Sequence, residues 1–158
     1  MPAYLAARSR HIPVVVHEQN AVPGLANKVA ARFAAGAYTA FPDTPLPGAE
    51  FIGMPLRANV AELANLDERD RAERRRRTRK EFGLDGDRPT LLVSGGSQGA
   101  VSVNTAVIHA RGQLLADGVQ VLHVLGPRNM ADAITHTDDS TGARWVPVAY
   151  VDDMARAY

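Results

Sequence analysis

Two short stretches hold the side chains most able to do chemistry. The first is Gly95-Gly96-Ser97-Gln98-Gly99-Ala100, reached directly from the apolar run Thr90-Leu91-Leu92-Val93. A strand-length run that ends in glycines and opens into a helical pattern sets backbone N–H groups and a helix N-terminus at the strand's end. That arrangement suits a phosphate or diphosphate. Gly96 lets the backbone approach the ligand, while Ser97 and Gln98 add side-chain donors. The glycine spacing is not the dinucleotide fingerprint, and no Gly-Lys-Ser/Thr follows to make a P-loop. Ser97 has a second reading as a helix cap. The other stretch is His17-Glu18-Gln19-Asn20-Ala21-Val22-Pro23-Gly24-Leu25-Ala26-Asn27. His17 and Glu18 are of the types that move protons. Asn20 both donates and accepts, as sugar hydroxyls require. Turn chemistry is the alternative, with Asn20 preparing a helix start and Glu18 solvated. Asn27 and Asn104 read equally as ordinary exposed helix residues. His109, His123 and His136 have no metal-ligand spacing and read as structural or solvated.

Strands and helices must alternate to position these stretches. Ile12 to His17 is nearly all apolar, as in a strand covered on both faces. Pro23 and Gly24 introduce a helix with Leu25, Val29 and Phe33 on one stripe. Short strands follow at Tyr38–Phe41 and Phe51–Gly53, separated by a proline-rich loop. A helix spans Asp67–Phe82, with Asp70–Arg74 and Glu73–Arg77 at i,i+4. After the Thr90–Ser94 strand, a helix runs from Gly99 to Asp117 with Val103, Val107, Ile108, Leu114 and Leu115 as its apolar positions. Strands at Val119–Leu125 and Trp145–Val151 follow, and Asp152 is placed to cap a last helix. The class is α/β with mainly parallel strands. A break near Arg57 predicts parts of two doubly wound domains, at 1–56 and 67–158, joined by a linker region at 57–66. Each half looks incomplete.

The 158 residues are 46% hydrophobic and carry a net charge of +1. That balance gives no global pull toward nucleic acid. Asp67 to Glu81 has eight basic and five acidic residues. With acids interleaved and no stacking aromatics, it reads as a solvated helix rather than a nucleic-acid surface. No apolar run is long enough to span a bilayer, and no signal-peptide pattern opens the sequence. Cysteine is absent, which removes disulfides and cysteine-based metal sites and fits the cytosol.

The ordered pair HEQNAVPGLANK and GGSQGA closely resembles the MurG family of bacterial peptidoglycan glycosyltransferases. So do Pro2-Ala3-Tyr4-Leu5-Ala6-Ala7, Gly53-Met54-Pro55-Leu56-Arg57, Leu122-His123 with Gly126-Pro127-Arg128-Asn129, and Tyr150-Val151-Asp152-Asp153-Met154-Ala155. The resemblance implies a GT-B architecture of two Rossmann-like domains. It implies transfer of N-acetylglucosamine (GlcNAc) from UDP-GlcNAc to lipid I, giving lipid II, by a peripheral enzyme on the cytoplasmic face of the membrane. The implied partners are UDP-GlcNAc, lipid I and an anionic inner-leaflet surface, with no nucleic acid, metal or cofactor. Family members are more than twice as long, so the chain looks like a central fragment, inactive alone. By the same resemblance Asn20 and Arg57 contact the donor sugar. Gly96, Ser97 and Gln98 lie at the donor diphosphate, and Val151 and Met154 flank the uracil. His17, Glu18, Asn27 and Asn104 match functionally important polar positions. Met54 replaces the family's asparagine, and Leu125 replaces a hydroxyl residue. The implied reaction is an inverting displacement whose base is Glu18 or a histidine upstream of Met1. A sugar-nucleotide epimerase of the same architecture and a non-catalytic nucleotide-binding remnant are the other readings.

Overall fold

The computed structural model describes residues 2–96, 99–131 and 133–158. Ser97 and Gln98, singled out above, lie outside the described residues. The chain forms two compact units, Met1–Arg57 and Ala58–Tyr158.

In the first unit, β1 (Val15–Glu18), β2 (Gly36–Thr39) and β3 (Glu50–Phe51) make a parallel sheet in that order. Val16 pairs with Ala37 and Glu18 with Thr39. Helix α2 (Leu25–Ala31) connects β1 to β2. The β-branched valines favour the pleated surface, and Val16 packs with Ala30, Ala37 and Leu46 as the core. Leu25 stays exposed, so the buried side of α2 is carried by Ala30 rather than by the helix's first leucine. Helix α1 (Pro2–Ser9) has no capping signal in the sequence. It is held instead by tertiary contact, with the Arg8 guanidinium 4.9 Å from the Phe33 ring centre.

The second unit starts with α3 (Ala58–Ala61), a 3-10 turn (Glu62–Asn65) and α4 (Glu68–Glu81). Most of the segment 57–66 is thus helical. Asn59 donates to Asp153 Oδ1 at 2.7 Å, which ties it into this unit. Strands β4 (Thr90–Ser94), β5 (Gln120–Val124), β6 (His136–Thr137) and β7 (Arg144–Val148) form a sheet in the order β4-β5-β7-β6. The β4–β5 and β5–β7 pairs are parallel; β6 adds an antiparallel edge. Helix α5 (Val101–Ala116) joins β4 to β5, and α6 (Met154–Ala157) follows β7. Every residue of β5 is buried. Gln120 is accommodated there because its amide meets Asp85 N, Asp85 O and Thr90 Oγ1.

Three local expectations change. The pairs Asp70–Arg74 and Glu73–Arg77 are not among the ion pairs of the described residues. Arg76 turns to Asp87 at 2.5 Å and Glu81 pairs with Arg156, because the loop after α4 offers an acid and α6 a base within reach. Val103 and Ile108 are exposed, and the inward side of α5 is Asn104, Val107, Leu114 and Leu115. Asp153, not Asp152, caps α6, its carboxylate accepting from Ala155 N at 3.1 Å. Among the described residues no helix is long and apolar enough to cross a membrane.

Candidate functional site

Glu18 ends β1 with its side chain 1% exposed. Its Oε1 accepts from Asn20 N at 2.9 Å and Asn20 Nδ2 at 2.8 Å. Its Oε2 accepts from Gly24 N and Asn27 Nδ2, both at 2.9 Å. Burial alone would raise this carboxyl's pKa. The four donors outweigh that and bring it from 4.5 to about 2. A carboxylate so saturated and so acidic is a poor proton acceptor, which weighs against Glu18 as the base. It also corrects the solvated reading: Glu18 is the hub that folds the HEQN turn against the start of α2.

The neighbours share that role. Asn27 gives Nδ2 to Glu18 and accepts from the Tyr4 hydroxyl at 3.0 Å through Oδ1. Its amide is thus engaged at both ends, a scaffold rather than a ligand contact. Asn20 remains exposed, and its backbone carbonyl accepts from Thr44 Oγ1 at 3.3 Å. His17 Nε2 lies 2.9 Å from the Gly53 carbonyl. A carbonyl only accepts, so Nε2 carries the proton. Nδ1 is buried without a hydrogen-bond partner among the described residues. This bond anchors the first residue of Gly53-Met54-Pro55-Leu56-Arg57 to the end of β1. Gly53 has φ +81, a conformation that favours glycine. Arg57 is exposed, with no side-chain hydrogen bond among the described residues. Tyr4, Thr44 and the Gly53 carbonyl were not distinguishable as partners from sequence, since each is far along the chain from what it touches.

In the second unit the glycine turn leaves the end of β4. Gly96 is exposed with φ +81, and an added Cβ there would meet nothing within 4 Å. Gly99 N donates back to Gly96 O at 3.1 Å, closing the turn. Helix α5 follows with Ala100 at its N-cap and no side-chain cap among the described residues. Gly96 and the start of α5 are thus open among those residues, which is the geometry an anionic group fills.

A buried relay backs this turn. Trp145 Nε1–H donates to His123 Nδ1 at 3.3 Å, and His123 Nε2–H donates to Asn104 Oδ1 at 3.2 Å. Asn104 Nδ2 then donates to the Leu125 carbonyl at 2.9 Å. Asn129 Nδ2 reaches the same carbonyl at 2.8 Å. The tryptophan donor fixes the histidine tautomer. Burial lowers the His123 pKa and keeps the ring neutral. Asn104 is therefore committed to the interior, which corrects its reading as an exposed helix residue. Asn104→Ala leaves His123 Nε2–H without its acceptor and the Leu125 carbonyl with Asn129 as its remaining side-chain donor, and is expected to cost about 2 kcal/mol in chemical denaturation. An unchanged midpoint would contradict this relay.

Val151 is buried, so little of it remains to face a base, whereas Met154 is half-buried. A cavity of about 450 Å³ between α4, β4 and α6 is floored by Leu84, Leu92 and Leu122, and none of the described residues of the glycine turn lines it. Among the described residues no cluster of His, Asp or Glu could hold a metal ion.

Known proteins match both halves. The glycosyltransferase family 28 N-terminal domain matches residues 1–39, and the family 28 C-terminal domain matches residues 90–158. The chain is 66% identical, over its whole length, to UDP-N-acetylglucosamine--N-acetylmuramyl-(pentapeptide) pyrophosphoryl-undecaprenol N-acetylglucosamine transferase of Cutibacterium acnes. It is 54% identical to the protein of the same description from a Nocardioides species. It spans 42% and 41% of those relatives. The crystal structure of Acinetobacter baumannii MurG aligns with 99% of this chain, at a TM-score of 0.57 and 27% identity, over 40% of its own length. The fold class is that of the GT-B glycosyltransferases. With both domain types of one family matched in order, the chain belongs to glycosyltransferase family 28.

Proposed function

We propose that this chain supplies part of the machinery of an inverting transferase that moves GlcNAc from UDP-GlcNAc to lipid I. The observation that carries the reading is the open space at Gly96 after β4, ahead of a start of α5 that no described side chain caps. The relatives' names support the same donor and acceptor. In the reaction a lipid I hydroxyl oxygen bonds to the anomeric carbon. The bond from that carbon to the diphosphate breaks, and UDP leaves with the electron pair. The hydroxyl proton passes to a base. The turn's N–H groups, with Ser97 and Gln98, stabilise the departing diphosphate. Asn20 and Arg57 hold the sugar, and Met154, with what Val151 still exposes, borders the uracil. Residues 1–57 serve the acceptor side and the second unit the donor side. The working place is the cytoplasmic face of the membrane, as a peripheral protein on an anionic surface.

UDP added to the isotopically labelled chain is expected to move the backbone amide signals of Gly95, Gly96, Gly99 and Ala100. A titration that leaves all of them in place would sink the reading. Turnover with UDP-GlcNAc and a lipid I analogue is expected to be absent from the 158-residue chain alone. The reason is local: Glu18 is saturated and His17 offers only a buried Nδ1. Measurable GlcNAc transfer would contradict that. The same saturation favours a second reading for this polypeptide, a non-catalytic binder of the nucleotide sugar.

A further inference from the structure

We propose that the cavity between α5 and the segment following β5 binds a small organic anion with an apolar body, its charge held by Arg111 and Arg128. The cavity holds about 410 Å³, within the usual range for small-molecule sites. Val101 and Ile108 of α5, Trp145 of β7 and Asn129 wall it, with the two arginines beside them. Val101 is 73% exposed and Ile108 42%, so α5 turns two large apolar side chains to space that the described packing leaves unfilled. Trp145 is 2% exposed and supplies a fixed aromatic surface. Its indole is anchored by the bond from Nε1–H to His123 Nδ1.

The arginines set the charge of the occupant. Arg111 is half-buried with its guanidinium 5.0 Å from the Trp145 ring centre, and Arg128 is exposed in the 3-10 turn Pro127–Asn129. Neither is in an ion pair among the described residues, and no described acidic side chain lines the cavity. A guanidinium keeps its charge at any working pH and presents a planar fork to an anionic head group. Stacking on Trp145 already holds Arg111, so less freedom is lost when an anion arrives. A neutral apolar molecule leaves both guanidiniums without a counter-charge. A bare inorganic anion leaves the wall of Val101 and Ile108 in water. An anionic head group on an aromatic or branched aliphatic body satisfies both. Asn104, Leu125 and Asn129 line the same cavity and hold the wall behind Gly99, so the occupant also touches the back of the glycine turn.

The test uses the isotopically labelled 158-residue chain with phenylacetate, its neutral amide phenylacetamide, and inorganic phosphate. Trp145 is the single tryptophan, so its indole N–H signal and its fluorescence both read this cavity. Phenylacetate is expected to shift the indole signal saturably, in the millimolar range for so small a ligand, and to move the Gly99 amide with it. Phenylacetamide and phosphate should each bind at least about tenfold more weakly, since each lacks one half of what the cavity recognises. Arg111→Gln and Arg128→Gln should each weaken phenylacetate by about tenfold, with hydrogen exchange at Leu122 unchanged. Arg128→Gln disturbs no ring stacking and is the cleaner of the two. Absence of a saturable shift, equal binding of phenylacetamide or of phosphate, a Gly99 signal that stays in place while Trp145 moves, or undiminished binding by Arg128→Gln would each overturn the proposal. The comparison of probes on the unmodified chain decides even where a variant fails to fold.

Discussion

Glu18→Ala is expected to cost the first unit about 3 kcal/mol or more, enough to unfold much of it. Four donors converge on this carboxylate. Removing it deprives those N–H groups of their charged acceptor, and bonds to a charged acceptor are each worth about 1.5–3 kcal/mol, though not additively. Glu18→Gln is expected to do little better, because its NH2 would face two donors. The loss is local. Hydrogen exchange should accelerate at Val16 and Ala37, while Val121 and Leu122 in the second unit stay protected. Acid should mimic the substitution. The carboxyl titrates near 4.5 when unfolded and about 2 when folded. Its stabilisation is complete above the unfolded value and is lost as pH falls from there toward 2. The gap corresponds to roughly 3 kcal/mol at about 1.36 kcal/mol per pH unit. In Glu18→Gln that part of the acid sensitivity should vanish. Retention of wild-type stability by Glu18→Ala at pH 7 would refute the hub.

The same residue marks what the sequence could and could not disclose. The apolar run before Glu18 and the glycine after Asn20 signal a strand followed by a helix, and β1 and α2 lie there. The glycine turn was legible for the same reason: β4 matches its expected bounds of Thr90–Ser94, and α5 follows. Local pattern carries that much. It does not carry the use to which a polar side chain is put. His17, Glu18, Asn27 and Asn104 are polar residues near strand ends, and all four read as possible chemistry. The structure gives Glu18, Asn27 and Asn104 mainly to the interior, through partners up to 23 residues away. Their partners are a tyrosine hydroxyl, main-chain groups and a buried histidine, which no spacing rule could pair with them. Helix α1 and strand β6 were missed because neither has local punctuation. One leans on Phe33 and the other pairs with β7. The exposed Val103 and Ile108 show the converse, an apolar pattern that the described packing does not consume.

The glycines of the turn should separate by substitution, and the contrast tests what the turn is for. At Gly99 an added Cβ would lie 2.2 Å from the Leu125 carbonyl oxygen and 2.9 Å from Asn129 Nδ2, with φ at +75. That carbonyl cannot retreat freely, because Asn104 and Asn129 both hold it. Gly99→Ala therefore combines left-handed backbone strain with a clash against fixed main chain. A loss of about 3 kcal/mol or more is expected, with the start of α5 displaced. Gly96 has the same strain at φ +81 but open space around it. Gly96→Ala should cost only about 1 kcal/mol and leave the chain folded. Gly96→Val should stay folded too, yet lose UDP-induced shifts at Gly95 and Ala100, since its branched side chain fills the space a diphosphate would occupy. If Ser97 holds the diphosphate as proposed, Ser97→Ala is expected to lose one hydrogen bond to a charged group, worth about 1.5–3 kcal/mol of ligand affinity, or roughly one to two powers of ten. Thermal denaturation and UDP titration of the four variants give the answer together. If Gly96→Val bound UDP as the unmodified chain does, the open face of the turn would not be where the diphosphate sits. If Gly99→Ala were as stable as Gly96→Ala, the Leu125 carbonyl would not be the fixed wall against which the turn is built.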